Sequence, residues 1–529
     1  MELTQSYFDL RWHLDPVSAS QAGVTAYDDR FGRFSPDALK PHLAALRSLT
    51  AALEEAEPDD LNAEIDNTAL LNDARVVLYR YEKECPQAKN PELWLSHLLS
   101  GLHVLLVRRD RRPEARARAL AGRLADVKPF LDDARAGLTE PVGLFADTAR
   151  QVLVGAAPLV REAAAAAQEL EMPASVSAAA ETALAALASF GRDLDRWANG
   201  DNRFAVGEEA FNFHLHYEHA VRDTAPELWR YGHRLVEELQ ADLVARASRL
   251  GSKSWPDLIT KLRADHPPAG DLVAAYAREM ERARRFVEEQ KLVRVPDGPL
   301  DVIPTPDFLR PLIPFAAYDA PGAYSEDRTG WFYVTPPDPA LPHGDQEARL
   351  RDHCVYELAA TALHEGYPGH HLHFLTGQAQ QSDVRRLIWT PLTVEGWALY
   401  CEDMMAEQGF YRGDEEQLFQ RLHLLWRAVR IMLDVGLHTR GMTREQAVEQ
   451  MVSELHVERG NAEAEVRRYC AWPAYQLCYA VGRRELLRLR DDYRNAKGNS
   501  FTLRGFHDAI LPYGGLPVAL IRWGLGLGE

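Results

Sequence analysis

His364-Glu365-Gly366-Tyr367-Pro368-Gly369-His370-His371 reads as an HExxH motif opened by two residues. In the ordinary motif two histidines four apart project from one helix face, and the Glu between them polarises a metal-bound water. Here Pro368 holds the fourth position. Along a straight helix His370 would lie ~9 Å from His364 and be rotated by roughly 240°, and His371 would lie ~10.5 Å away, too far for two nitrogens bonded to one ion at ~2 Å. The helix must therefore break. Proline removes an amide donor and its ring clashes with the carbonyl four residues back, that of His364, while Gly369 opens backbone angles closed to other residues. The octet predicts a helix end, a bend, and a second imidazole, His370 or His371, carried back to His364.

Working outward, the helix that ends in the motif is expected to start near Asp345 and run to about Tyr367. Catalytic zinc takes three protein ligands and leaves one position for water, so a further ligand is needed on a following helix. Glu395, in Thr393-Val394-Glu395-Gly396-Trp397-Ala398-Leu399-Tyr400-Cys401-Glu402, opens such a helix. Two neutral histidines and one carboxylate leave one Zn2+ ion enough charge to acidify bound water. Glu402 lies on the same face two turns on, as a group behind the ligands or touching substrate, and as the fallback ligand. Glu365 is the expected general base. Glu357 shares a face with His364 and is a candidate acceptor for an imidazole N–H, or an ordinary paired glutamate.

The rest of the chain is mainly helical in pattern. From about Ser35 to Leu292, Ala, Leu, Arg and Glu dominate with apolar residues at three and four, as in Pro113–Ala136 and Ser175–Trp197. Composition changes at Pro296: prolines crowd into Pro296–Pro342, with short apolar runs at Leu312–Tyr318 and Trp331–Thr335 that suit a small β platform. Helical periodicity returns over Thr393–Gln408, Glu415–Leu437, Thr443–Val457 and Ala462–Asp492, with Thr443 and Gln446 as a capping box. At 529 residues without a low-complexity linker, two closely packed lobes are expected, a helical lobe over 1–292 and a catalytic lobe over 293–529.

A net charge of -18 disfavours nucleic acid and anionic membranes as partners. The first residues show neither a basic n-region nor an apolar h-region, and five scattered cysteines follow no disulfide or zinc-ribbon spacing. Both features lead to the expectation of a cytoplasmic protein with reduced thiols. The oligomeric state is left open.

HEGYPGHHLH followed by EGWALYCE resembles the bacterial family catalogued as domain of unknown function 885, whose members are regarded as zinc-dependent peptidases. Arg427–His438, Thr443–Ala447 and Val466–Gly482 also resemble family segments, so the likeness spans nearly the whole chain. It departs at Ala474-Tyr475, where relatives carry Gly-Gln, which leaves Tyr475 and Gln476 without an assigned role. More distantly, the Gly-His pair and the later Glu are similar to gluzincin oligopeptidases and peptidyl-dipeptidases. That likeness favours His370 over His371 as ligand. It implies a two-lobed, zincin-like helical fold around a deep channel that admits short peptides, and a late-helix tyrosine, here Tyr479, aimed at the oxyanion.

Other candidates have plainer alternatives. Arg430, Asp434 and His438 could bind a peptide carboxylate, brace the metal site, or form structural ion pairs. His371, if it is not a ligand, could orient one or touch substrate. The run Gly330–Thr335, with Tyr333, suits an edge strand that pairs with an extended peptide, or a structural strand. His214-Leu215-His216-Tyr217-Glu218-His219 looks like a metal cluster but offers no further ligand. The expected function is a zinc hydrolase, a peptidase on short peptides. Its alternatives are an amidase or esterase on another small substrate and a non-catalytic, metal-stabilised helical scaffold.

Overall fold

The computed structural model describes residues 2–528 apart from 109–110, 169–172, 311–312 and 314. The protein is mainly α-helical, with one three-stranded sheet among the described residues. Two compact units emerge: Met1–Phe204 with Pro306–Pro314 and Gly322–Asp327, and Ala205–Thr305 with Phe315–Pro321 and Arg328–Glu529. The change of composition at Pro296 therefore falls inside the second unit, which also holds the helices Ala225–Arg249 and Leu272–Glu289. Composition there marks a change from helix to strand within one core.

In the first unit, prolines open the helices Pro36–Glu54, Pro91–Val107 and Pro113–Gly137, at the position where an amide has no helical acceptor to lose. Their apolar stripes, with those of Ala156–Gln168 and Pro173–Trp197, close one core around Phe31, Trp94 and Phe130. Arg123 is fully buried within this unit and donates to Ser20 Oγ at 2.6 Å and to the Gly101 carbonyl.

The second unit carries every residue of the motif. Its strands are β1 (Leu300–Pro304), β2 (Ala316–Asp319) and β3 (Gly330–Val334). They lie in the order β1-β3-β2, with β1 parallel and β2 antiparallel to β3. β3 is thus the central strand, and the edge-strand expectation for Gly330–Thr335 is corrected: both of its sides are hydrogen-bonded. Tyr333 is paired with Ile303 and Ala317 and only 2 % exposed, so no peptide can add there. Leu312, where the first platform strand was expected to begin, lies outside the described residues. Helix Leu272–Glu289 packs between the sheet and the motif helix through Tyr276, Met280, Phe332 and Ala362.

The single helix expected from Asp345 to Tyr367 is three pieces: His343–Leu350, a 3₁₀ turn Arg351–His353, and the motif helix Val355–Glu365. Tertiary packing breaks it. His353 is buried, stacks on Phe315 with ring centroids 4.0 Å apart, and shares a 3.0 Å hydrogen bond with the Tyr276 hydroxyl. Likewise the helix expected over Ala462–Asp492 is interrupted between Arg459–Ala471 and Cys478–Lys497, at Trp472-Pro473. The capping box at Thr443 forms as expected, with both reciprocal hydrogen bonds present.

Candidate metal centre

The motif helix ends at Glu365, the Tyr367–Pro368 bond is cis, and a second helix, His370–Gln378, starts at once. The bend is tight: Gly369 N–H donates to the Leu363 carbonyl at 3.0 Å, and a Cβ on Gly369 would overlap the His364 carbonyl oxygen. Glycine is required here by that close approach. Helix Pro391–Glu407 clamps the bend, since Trp397 Nε1–H donates to the Pro368 carbonyl at 2.9 Å and Cys401 Sγ lies 3.7 Å from the same oxygen.

This clamping helix also presents Glu395. Over Pro391–Met405 Glu395 alone is not fully buried. Its Oε2 lies 3.3 Å from His370 Nε2 and 3.8 Å from His364 Nε2. His364, His370 and Glu395 each offer a donor atom within 4.8 Å of the others. Donors bonded at ~2.0–2.1 Å to one tetrahedral ion lie on the order of 3.3 Å apart, so the trio fits zinc in number, type and spacing. His371 turns the other way. It is fully buried, accepts from the Tyr318 hydroxyl at 2.9 Å, donates to the Gly298 carbonyl at 3.3 Å, and fills the space where a Cβ on Gly330 would sit. It ties the second helix to the sheet, and burial holds its pKa down to about 4.

Charge pairing at the cluster is strong. Burial would depress His364, but the carboxylates of Glu395 and Glu402 outweigh it and raise its pKa to about 9. Burial would raise Glu395, yet the neighbouring His364 and His370 hold it well below the usual carboxylate range. Glu402 accepts His364 Nδ1–H at 2.8 Å and is 1 % exposed, so it fixes the tautomer that points Nε2 at Glu395. Glu357 does not reach His364. It pairs with Arg263 at 3.1 Å and faces His423 at 3.9 Å. Glu365, next to His364, is half-buried at the helix end.

The hydroxyl that reaches the ligand carboxylate is Tyr475: it donates to Glu395 Oε1 at 2.9 Å. Tyr479 stands behind it, ring centroids 6.2 Å apart, with the Arg430 guanidinium 5.0 Å over its ring. Asp434 is fully buried and accepts from the Ala474 and Leu477 amides at 3.1 and 3.2 Å, which braces the turn that carries Tyr475. Burial pushes its carboxyl up to about 7 against those amide bonds. Arg430 is taken up by Tyr469 and Glu465, and His438 donates to the Tyr469 carbonyl at 3.0 Å. These three residues support the site from behind. His214 pairs with Glu218 and His219 with Thr390 and the Ala474 carbonyl, so that run is woven into the packing. His373 donates to the Gly514 carbonyl.

Sequence reasoning left three contributors unassigned: Tyr475, the Trp397 clamp and Tyr318. A tryptophan two residues after the ligand was a readable signal for the second. Tyr475→Phe is expected to weaken zinc binding about 10- to 100-fold with the fold unchanged, as measured by competition against a chelating dye.

The family described as "Bacterial protein of unknown function (DUF885)" matches residues 16–524. No curated protein matches. A solved structure from Shewanella oneidensis, provisionally designated a lipoprotein of unknown function, is similar with a TM-score of 0.82 at 22% identity, covering 99% of this chain and 98% of that one. One from Colwellia psychrerythraea, provisionally designated a lipoprotein, has a TM-score of 0.85 at 18% identity over 99% and 98%. Those designations overturn the cytoplasmic expectation, since lipoproteins are held at a membrane by lipid. An N-terminal stretch without an apolar segment speaks for that stretch alone, and five unpaired cysteines, four of them buried, suit either compartment. No helix among the described residues is long and apolar enough to cross a membrane.

Proposed function

This chain belongs to the bacterial family of unknown function DUF885, and on that premise we propose that it is a zinc-dependent hydrolase, a metallopeptidase that cleaves short peptides. The observation that carries the reading is the convergence of His364 Nε2, His370 Nε2 and Glu395 Oε2, with the half-buried residue Glu365 next to His364 and its charge acting on it. A structural zinc site closes its fourth position and needs no acid–base group. His364, His370 and Glu395 would hold the ion, which when bound supplies Lewis-acid polarisation and acidifies water.

This chain's own residues do the remaining work. Glu365 takes the proton of the attacking water on its carboxylate and delivers it to the leaving amine nitrogen. Glu402 keeps the His364 proton on Nδ1, and Tyr475 occupies Glu395 Oε1 so that Oε2 faces the histidines. Tyr475 donates to Glu395 and the Tyr479 ring neighbours it, with Tyr479 proposed as the oxyanion donor. The proposal includes gluzincin kinship and a channel that limits substrates to short peptides.

The purified protein is expected to bind one zinc ion per chain and to hydrolyse members of a short-peptide library, with both properties lost in Glu395→Ala and His370→Ala. His371→Ala should keep the stoichiometry. Elemental analysis with a peptide-cleavage assay checks this; zinc retained after loss of His370 or Glu395, or a zinc-loaded protein inert on every peptide, would sink it.

A further inference from the structure

The charges of Arg427, Arg430 and Arg468 all act on Tyr479, and among the described residues only Arg430 and Arg468 form an ion pair with a carboxylate. Arg430 and Arg468 share Glu465, at 3.0 and 2.8 Å, and Tyr469 donates to the same oxygen at 2.7 Å. Arg427, one turn before Arg430 on helix Asp414–Thr439, has no such partner. Its guanidinium lies 5.7 Å from the Tyr479 ring centroid, and NH1 donates to the His423 carbonyl of its own helix at 3.3 Å. Among the described residues its buried Nε, like that of Arg468, has no hydrogen-bond partner. A guanidinium offers five donors in a planar fork, and among the described residues only NH1 of Arg427 makes a hydrogen bond, to the His423 carbonyl.

The place of this cation is specific. Its charge acts on Glu402, which braces His364, and on Tyr479, whose ring neighbours Tyr475 on Glu395. Arg427, Tyr475 and Glu395 are all only partly buried, in stretches where most neighbours are buried completely. From Arg427 a chain of contacts runs through the Tyr479 ring and Tyr475 to Glu395, and extended peptide covers roughly 3.3–3.6 Å per residue. Resting on the peptidase reading, we infer that Arg427 is the recognition group for a substrate carboxylate, so that the protein acts on peptides whose free C-terminus lies close to the scissile bond. The planar fork matches a carboxylate with two parallel N–H···O bonds.

The test uses binding, so that it does not depend on turnover. The zinc-loaded Glu365→Gln protein is titrated by calorimetry with a panel of tripeptides and with their C-terminal amides. Free acids are expected to bind roughly 10- to 100-fold more tightly than amides. In Glu365→Gln/Arg427→Met the gap should close to within about twofold, and in Glu365→Gln/Arg427→Lys part of it should return, because a point charge attracts the carboxylate without the fork. Equal affinity for acid and amide overturns the inference, as does a preference that survives Arg427→Met, or no binding of either form. A purely structural role for Arg427 on Tyr479 would weaken both ligands alike. Native protein that cleaves acids and amides equally leaves the metallopeptidase reading standing while removing this one; zinc-loaded native protein inert on both removes the former.

Discussion

Glu365→Gln is expected to lower kcat for peptide hydrolysis by about 10²- to 10⁴-fold, the range typical of a lost general base, while zinc content and thermal stability stay at the native level. The amide side chain keeps the volume and one acceptor of the carboxylate but cannot take a proton. Glu365 makes no contribution to the ligand trio, whose donors are His364, His370 and Glu395. Its half-buried position at the end of the motif helix also means that the substitution leaves no charge stranded in the core. Stopped-flow or end-point peptide cleavage beside elemental analysis gives both readouts. A variant that keeps full turnover would remove Glu365 from the chemistry, and one that loses zinc would show that the residue holds the metal instead.

Gly369→Ala is expected to destabilise the second unit by at least about 3 kcal/mol and to abolish stoichiometric zinc binding. The new methyl would overlap the His364 carbonyl oxygen and lie 2.5 Å from that of Leu363, and both obstacles are backbone atoms that no rotamer change can move. Relief requires the bend to open, which carries His370 away from His364. Gly366→Ala is the control, because its Cβ would meet the Ala362 carbonyl at 2.9 Å and the flexible Leu300 side chain at 3.1 Å, a milder crowding. Urea denaturation with metal analysis on both variants separates the two; Gly369→Ala with native zinc content would mean that the bend does not set the ligand geometry.

The octet was legible because its chemistry and its geometry point the same way. Helical spacing excludes two straight-helix ligands, Pro-Gly permits a return, and the observed bend at Pro368-Gly369 returns His370. Glu395 and Glu402 were legible from their spacing on one helix face. What stayed hidden depends on residues distant in sequence. The helix break before Cys354 comes from His353 packing on Phe315 and Tyr276, which no local periodicity reports. Strand β1 was not singled out, because Asp301 and the bounding Pro299 and Pro304 disguise it, and without β1 the central place of β3 could not be seen. Tyr475 was readable as a departure from the family pattern but not as a partner of Glu395. Its neighbour Ala474 adopts φ 60°, a left-handed conformation that costs a non-glycine residue about 1 kcal/mol.

Between Glu395 and Glu402 one helix holds a candidate ligand, the tryptophan and cysteine at the Pro368 carbonyl, and the brace on His364. Gly396 meets Gly482 of helix Cys478–Lys497 so closely that neither could carry a side chain, which ties the helix axis to one position. Each added or deleted residue would turn everything beyond it by ~100° and shift it ~1.5 Å. A point substitution can fail at one of these tasks, but an insertion or deletion fails at all of them together. An in-frame insertion or deletion inside this stretch is therefore expected to remove the candidate site in one event.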